Sequence, residues 1–398
     1  MIYHYNKNNR LQGASLIDIQ SPTYIENIII ENVITYYKPV INVLYNNIEF
    51  HNMDIKNINL YGDSNECYLI MAEMGGKNKN IIFHNVHVSN IIGNSNMMNF
   101  KGQNVDVIFN EIKIYNTTSN GPFVKNIAEN INCQLNRCTI DNVQNINKLD
   151  DGIFHFKNNA YINITDSEFN NINSHSSGLL HFEKLKNVDI KITSSSFFKN
   201  HCNYNGGILN IIDNAGSNNR QDKKSLTIRN SVFKENNVNY FGGVVYVDSD
   251  DTNFNFTITS SIFENNYAGV AGGAIFFEKI TTPLMKIKND IFQEKNHFNN
   301  VLKNNMAVSH GNVYATHPAK FIHINKEKDI NEIISGGSLS LTLQLQDEFE
   351  NVVYDHEKYY SNIGIITELL DVYKTDISEY AIKETGNVFN NGMVKKKN

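Results

Sequence analysis

Three stretches of the chain repeat one pattern. They are "FFKNHCNYNGGILNII" (Phe197 to Ile212), "FKENNVNYFGGVVYVD" (Phe233 to Asp248) and "FENNYAGVAGGAIFFE" (Phe263 to Glu278). Each runs Phe-x-x-Asn, then a glycine pair, then an apolar run. Repetition at this period restricts a chain to solenoids, propellers or stacked arrays. The apolar block recurs upstream without the glycines, as LIDI (Leu16), VINV (Val40), LIMA (Leu69), MMNF (Met97), FVKN (Phe123), IFHF (Ile153) and LLHF (Leu179). It continues as ILNI (Ile208), VVYV (Val244) and AIFF (Ala274), with starts 24 to 36 residues apart. Alternation over the last three positions is a strand signal, with positions two and four facing inward.

A second alternating block precedes the glycines, as in "IIFHNVHVSN" (Ile81 to Asn90) and "FTITSSIFENN" (Phe256 to Asn266). Its apolar anchors are Ile55, Val88, Ile114, Ile140, Phe169, Phe198, Phe233, Phe263 and Phe292. Each period therefore holds two or three short strands joined by turns, with no helical pattern between them. A propeller blade needs a longer period of ~40–50 residues, and a leucine-rich repeat needs an LxxLxL pattern that is absent. The expectation is an all-β chain: a right-handed parallel β-helix of about ten coils over residues 1–316. Coils stacked ~4.8 Å apart give a rod roughly 50 Å long.

Composition supports this where it bears on turns. Asn accounts for 67 of 398 residues. It tolerates the left-handed backbone, and its amide can bond the Asn of the next coil. Asn57, Asn90, Asn116, Asn142, Asn171 and Asn200 are the expected ladder. The pairs Gly206-Gly207, Gly242-Gly243 and Gly272-Gly273 are expected to supply positive φ or close coil-to-coil approach at a second turn.

Phe197-x-x-Asn200, Phe233-x-x-Asn236 and Phe263-x-x-Asn266, each before Gly-Gly, resemble the FxxN/GGAI repeats of polymorphic outer-membrane-protein autotransporters. They are also similar to pectin-lyase-like repeats of large protist surface proteins. "GGAI" itself stands at Gly272 to Ile275. The resemblance implies a right-handed parallel β-helix, often extracellular and adhesive, and implies no particular ligand. Beyond the repeats, "SLSLTLQLQDEFENVVYD" (Ser338 to Asp355) puts Leu339, Leu341, Leu343 and Leu345 on one strand face, then a turn at Asp347–Asn351. This resembles bacterial-type or filamin-like immunoglobulin modules and implies a small β-sandwich over residues 317–398, with room for barely one module.

Catalytic signatures are sparse. "DDG" (Asp150 to Gly152), "NITD" (Asn163 to Asp166) and "SHGN" (Ser309 to Asn312) do not make the ordered Asp, Gly-His-Gly and Arg-x-Lys set of a polygalacturonase. No catalytic residue, metal or cofactor is assigned. The third position of the LIDI-type block forms an outward column: Asp18, Asn42, Met71, Asn99, Lys125, His155, His181, Asn210, Tyr246 and Phe276. His155 and His181 would be neighbours, either as solvated imidazoles or as a metal or acid–base pair. Tyr246 and Phe276 could stack on sugar rings. "DSDDTN" (Asp248 to Asn253) loosely mimics a calcium loop but lacks the glycine and distal Glu of an EF-hand.

Net charge is −6 and no basic stripe precedes the terminal Lys395–Lys397, which argues against nucleic acid. Cys67, Cys133, Cys138 and Cys202 lack CxxC or zinc-finger spacing and are expected as buried free thiols, with a disulfide as the alternative. The N-terminus has no signal-peptide core, and no apolar run reaches the ~20 residues of a membrane helix. Asn116, Asn163 and Asn255 begin N-x-S/T acceptor sequences that matter if the protein is secreted. The reading is a non-enzymatic surface or secreted β-helix, adhesive or glycan-binding, extracellular if the chain is a fragment. Its partners would be glycans or surface proteins. A polysaccharide-degrading enzyme and a purely structural coat component are the alternatives.

Overall fold

The structure, a computed structural model, describes residues 2–4, 15–62, 67–149, 151–213, 224–249, 254–278, 299–324, 340–360, 387–390 and 393–397. Among these residues there is no helix. A wide sheet of 22 strands and a narrow sheet of 11 are built from parallel pairs. They wind as an all-β, right-handed parallel solenoid. Right-handedness is the hand that strand twist favours for parallel crossovers.

Each coil contributes one narrow-sheet strand, such as Ile41–Leu44, and three wide-sheet segments. Two residues with positive φ, always five apart, bend the wide sheet in every coil. They are Asn27/Asn32, Asn52/Asn57, Asn85/Asn90, Glu111/Asn116, Arg137/Asn142, Asp166/Asn171, Ser194/Lys199, Asn230/Glu235, Ser260/Asn265 and Asn299/Asn304. In Ile48–Leu60 the residues His51-Asn52 and Lys56-Asn57 all face outward, while Phe50, Met53, Ile55 and Ile58 are buried. Two successive outward residues turn the chain, and the inward alternation then resumes facing the core. Asn is the side chain best suited to this left-handed position.

The interior is filled by rings stacked one per coil. Phe50, Phe83 and Phe109 stack at 5.1 and 5.1 Å between centroids. Phe169, Phe197, Phe233 and Phe263 stack at 4.8, 4.9 and 4.7 Å. The ladder pairs Phe197, not the expected anchor Phe198, with Phe169 and Phe233. Phe198 lies one residue on and points outward, under the Lys199 ammonium at 4.9 Å. Phe292 lies outside the described residues.

The corner chemistry changes along the rod. In the first half an exposed Asn ladder runs outside: Nδ2 of Asn57 donates to Asn32 at 3.3 Å, Asn90 to Asn57 at 3.2 Å, Asn116 to Asn90 at 3.5 Å and Asn142 to Asn116 at 2.7 Å. Asn171 donates instead to Asp141 at 2.8 Å. Asn200 stands one residue past this outer row, which Lys199 occupies. It starts an inner ladder of Asn200, Asn236, Asn266 and Asn305, which are 1%, 0%, 1% and 6% exposed. Each of the first three donates its backbone N–H and its amide to Oδ1 of the next. A parallel row at the preceding corner passes backbone N–H to side-chain oxygen from Ser167 through Ser195, Ser231 and Ser261 to Asn300. Thr23–Thr35, Ile48–Leu60 and Lys79–Gly93 run for 13 to 15 residues through the bends, the next two coils divide into strands of 7, and later coils divide into segments such as Lys224–Arg229, Val232–Lys234 and Asn237–Val238. Where the ladder is interrupted, inward N–H groups need side-chain acceptors, because buried donors are almost always paired.

Gly206, Gly242 and Gly272 have φ of 63°, 66° and 68°. A Cβ on their successors Gly207, Gly243 and Gly273 would sit 2.3, 2.1 and 2.2 Å from the carbonyl oxygen of the next coil. The first glycine of each pair supplies the backbone turn and the second the close approach.

The last narrow-sheet strand is Tyr314–Thr316. Pro318–His323, Ser340–Asp347, Asn387–Asn390 and Met393–Lys397 then form an antiparallel sheet. Asp347 closes the following turn by accepting from Asn351 N–H at 2.7 Å and from Thr316 N–H at 3.1 Å. The second sheet of an immunoglobulin sandwich would require residues 325–339 and 361–386, which lie outside the described set, as does Leu339.

Candidate functional site

Strand pairing in the narrow sheet places Asp18, Asn42, Met71, Asn99, Lys125, His155, His181, Asn210, Tyr246 and Phe276 in one register column. Their strand neighbours, such as Phe154 and Phe156, point into the core. The column is not solvated over most of its length. His155 and His181 are 0% and 1% exposed. Tyr246 and Phe276, 7% and 0% exposed, are sealed with Phe241, Leu345, Val353 and Tyr360. They offer no face to a sugar ring, because the segment after Pro318 packs over this end of the sheet.

The two imidazoles meet edge to face at 5.1 Å. His155 Nε2 lies 3.0 Å from Glu183 Oε1, and its Nδ1 lies 3.0 Å from Asp151 Oδ1 along a bent line. Lys157 also pairs with Glu183, and Lys125 Nζ stands 3.9 Å from Asp151. Glu183 follows His181 by two residues and so shares its face of the sheet. The imidazoles are closed in, while the Glu183 and Asp151 side chains keep 22% and 20% of their surface open.

Burial pushes the His181 imidazole down to about 3, with His155 adding to the effect, so His181 is neutral. The His155 hydrogen bond, opposed by desolvation and aided by Lys157, holds the Glu183 carboxyl well below its ordinary range. Desolvation opposes ionisation of Asp151, but contact with His155 and the field of Lys125 outweigh it and lower its pKa. His181 Nδ1 has no hydrogen-bond partner, and neither do Asn99 Oδ1 and Asn210 Oδ1 in the same column. His155, His181 and Glu183 bring one ligand atom each within 4.8 Å of one another. Two imidazoles and a carboxylate can share a proton or hold a borderline-soft divalent cation.

A second cluster joins the rod to its C-terminal segments. Ser309 Oγ and His310 Nδ1 are 3.0 Å apart, and His310 Nε2 is 2.8 Å from the Thr316 carbonyl oxygen. Both ring nitrogens are engaged locally, and burial lowers the His310 pKa.

The turn between the wide and narrow sheets carries exposed aromatic rings. Tyr204 and Tyr240 lie parallel at 6.2 Å, and Tyr359, brought in by the C-terminal segment, stands tilted at 6.4 Å from Tyr240. Their exposures are 40%, 39% and 48%. Tyr36, Tyr37 and Tyr61 form a similar group on the same turn nearer the N-terminus, at 6.3 and 5.8 Å from Tyr36. Tyr246 and Phe276 are buried, whereas the Tyr just before the glycine pair, as in "NYNGG", is exposed, a position the sequence marks by its place in the repeat.

The remaining residues are placed as follows. Asn116 and Asn255 are exposed and Asn163 is half-buried in the wide sheet. The four cysteines are buried free thiols. Residues 150 and 250–253, from the two acidic motifs, lie outside the described set. Among the described residues no helix is long and apolar enough to cross a membrane. No protein-family model matches the chain, nor does any curated protein or solved structure. The likeness to FxxN/GGAI repeats therefore rests on the repeat residues themselves.

Proposed function

We propose that the chain is a non-catalytic binding rod that holds repetitive glycans through multivalent contacts on its tyrosine-bearing edge. The observation that carries this reading is the exposed row Tyr204, Tyr240 and Tyr359. Such rings offer apolar faces with a polar tip, and they order at little entropic cost because a Tyr has few rotors. Asn239 sits beside Tyr240 in the chain, exposed, and brings an amide of the kind that bonds hydroxyls. Each contact is weak, and a stiff scaffold that repeats them along one edge multiplies them by effective concentration. The same reading puts the rod outside the cell, where extended glycans are met.

The test is a glycan-array screen of the full chain, followed by the Tyr204→Ala/Tyr240→Ala pair. Retention of an oligosaccharide that falls at least tenfold in the pair supports the reading. Turnover of a polysaccharide would replace it with the enzyme alternative. No retained glycan, together with self-association of the rod, would replace it with the coat component.

A further inference from the structure

We propose that His155, His181 and Glu183 form a binding site for one divalent transition-metal ion, zinc by preference, on the outer face of the narrow sheet. The three ligand atoms already lie within 4.8 Å of one another. A tetrahedral zinc with bonds of about 2.0–2.2 Å spaces its ligands about 3.4 Å apart. His155 Nε2 and Glu183 Oε1, at 3.0 Å, already lie within that spacing. From 4.8 Å at most to about 3.4 Å, the remaining closure is about 1.4 Å or less.

Three further features point the same way. His181 has a ring nitrogen, Nδ1, that is buried and has no hydrogen-bond partner, which costs about 1–3 kcal/mol when nothing fills the need. Asp151 Oδ1 stands 3.0 Å from His155 Nδ1, on the far side of the ring from Glu183. A carboxylate behind a ligating imidazole fixes its tautomer and raises its basicity. The Lys157 ammonium pairs with the same Glu183 oxygen that faces His155, as a resident cation that an entering ion would displace. The donor set, two nitrogens and one oxygen, fits zinc, cobalt or nickel and disfavours calcium and magnesium, which take oxygen ligands. Entry runs past Glu183 and Lys157, and solvent would complete the coordination.

The probe is Co²⁺ added to the metal-free full chain near neutral pH, read by its ligand-field absorption and then displaced by Zn²⁺. We expect one ion per chain, with bands of low-symmetry four- or five-coordinate cobalt. Glu183→Gln, on a partly exposed side chain that leaves the fold intact, should weaken binding at least tenfold. His181→Leu should remove it with the circular dichroism unchanged. Asp151→Asn should weaken it by about 10–100-fold. Lys157→Met should strengthen it by removing the competing cation. Absence of bands in the folded wild-type chain overturns the proposal. So does binding that is equal in wild type, Glu183→Gln and His181→Leu, which would put the ion elsewhere.

Discussion

Truncating Asn236 to Ala removes a side chain that is bonded on both sides inside the rod. Its Oδ1 accepts the Asn200 backbone N–H at 3.1 Å and the Asn200 amide at 3.0 Å. Its own amide donates to the Phe197 carbonyl at 3.1 Å and to Asn266 Oδ1 at 3.0 Å. Asn266 Oδ1 keeps the Asn236 backbone N–H at 3.0 Å. The truncation therefore strands an N–H and an amide hydrogen of Asn200 and one bond at the Phe197 oxygen, all in a dry interior. At about 1–3 kcal/mol per stranded group, the cost is about 3 kcal/mol or more. Asn142 is the control. Its side chain is exposed, makes one 2.7 Å bond to Asn116, and sits at φ 53°. Asn142→Ala should cost about 1 kcal/mol, chiefly from a left-handed backbone without Asn. Urea unfolding of both variants, with amide hydrogen exchange at Asn200, makes the comparison. Equal small losses and an unchanged Asn200 exchange rate would refute the inner ladder as an energetic network.

Gly242→Ala puts a methyl 2.2 Å from the Val245 oxygen at φ 66°, so soluble yield or thermal midpoint should fall sharply, and a neutral result would mean the turn before the narrow-sheet strand relaxes easily. Phe233→Ala empties one rung of a continuous ring stack and should cost about 3–5 kcal/mol by denaturant unfolding. Burial raises the Cys133 thiol and lifts Cys138 to about 11, so neither should react with maleimide until the chain unfolds; rapid labelling of the native protein would contradict their placement.

The sequence carried the architecture because the repeat is written in residues whose role is local. Alternation fixes which way a strand faces, so the narrow-sheet column is placed in register from Leu16 to Phe277 by the repeat alone. The outer Asn row was legible because Asn recurs there at the period of the repeat, at Asn57, Asn90, Asn116, Asn142 and Asn171. Three features were not legible. The corner five residues earlier is filled by Asn, Glu, Arg, Asp or Ser, so no single residue type marks it. The Phe-x-x-Asn motif reads as another outer Asn, yet Asn200 lies one step further, inside. The Ser two residues before Phe169, Phe197, Phe233 and Phe263 would have shown that corners in this half are held by side-chain acceptors. Burial of His155 and His181 was illegible because it depends on what lies over the sheet face, which period and alternation do not encode.

The imidazole of His181 is where stability and function can be separated. The same column accepts Met71 and Phe276, so the sheet does not require a polar residue there. A buried nitrogen without a partner is a cost to the metal-free fold, and sites that keep such groups commonly trade stability for activity. The cost also depends on pH. The unfolded chain protonates this imidazole near 6.5, whereas the folded chain holds out to about 3. Between those values the unfolded state binds the extra proton, so stability falls as pH falls through that window. Asp151 and Glu183, whose pKa values are lowered, add stability that is present above their unfolded values and is lost on further acidification. His181→Leu should therefore raise the stability of the metal-free chain by about 1 kcal/mol near pH 7 and flatten its decline between pH 6 and 4. Unfolding curves with and without Zn²⁺ decide the matter: zinc should stabilise the wild type and leave the Leu variant unmoved. A Leu variant that is less stable than the metal-free wild type would show that the imidazole is there for packing.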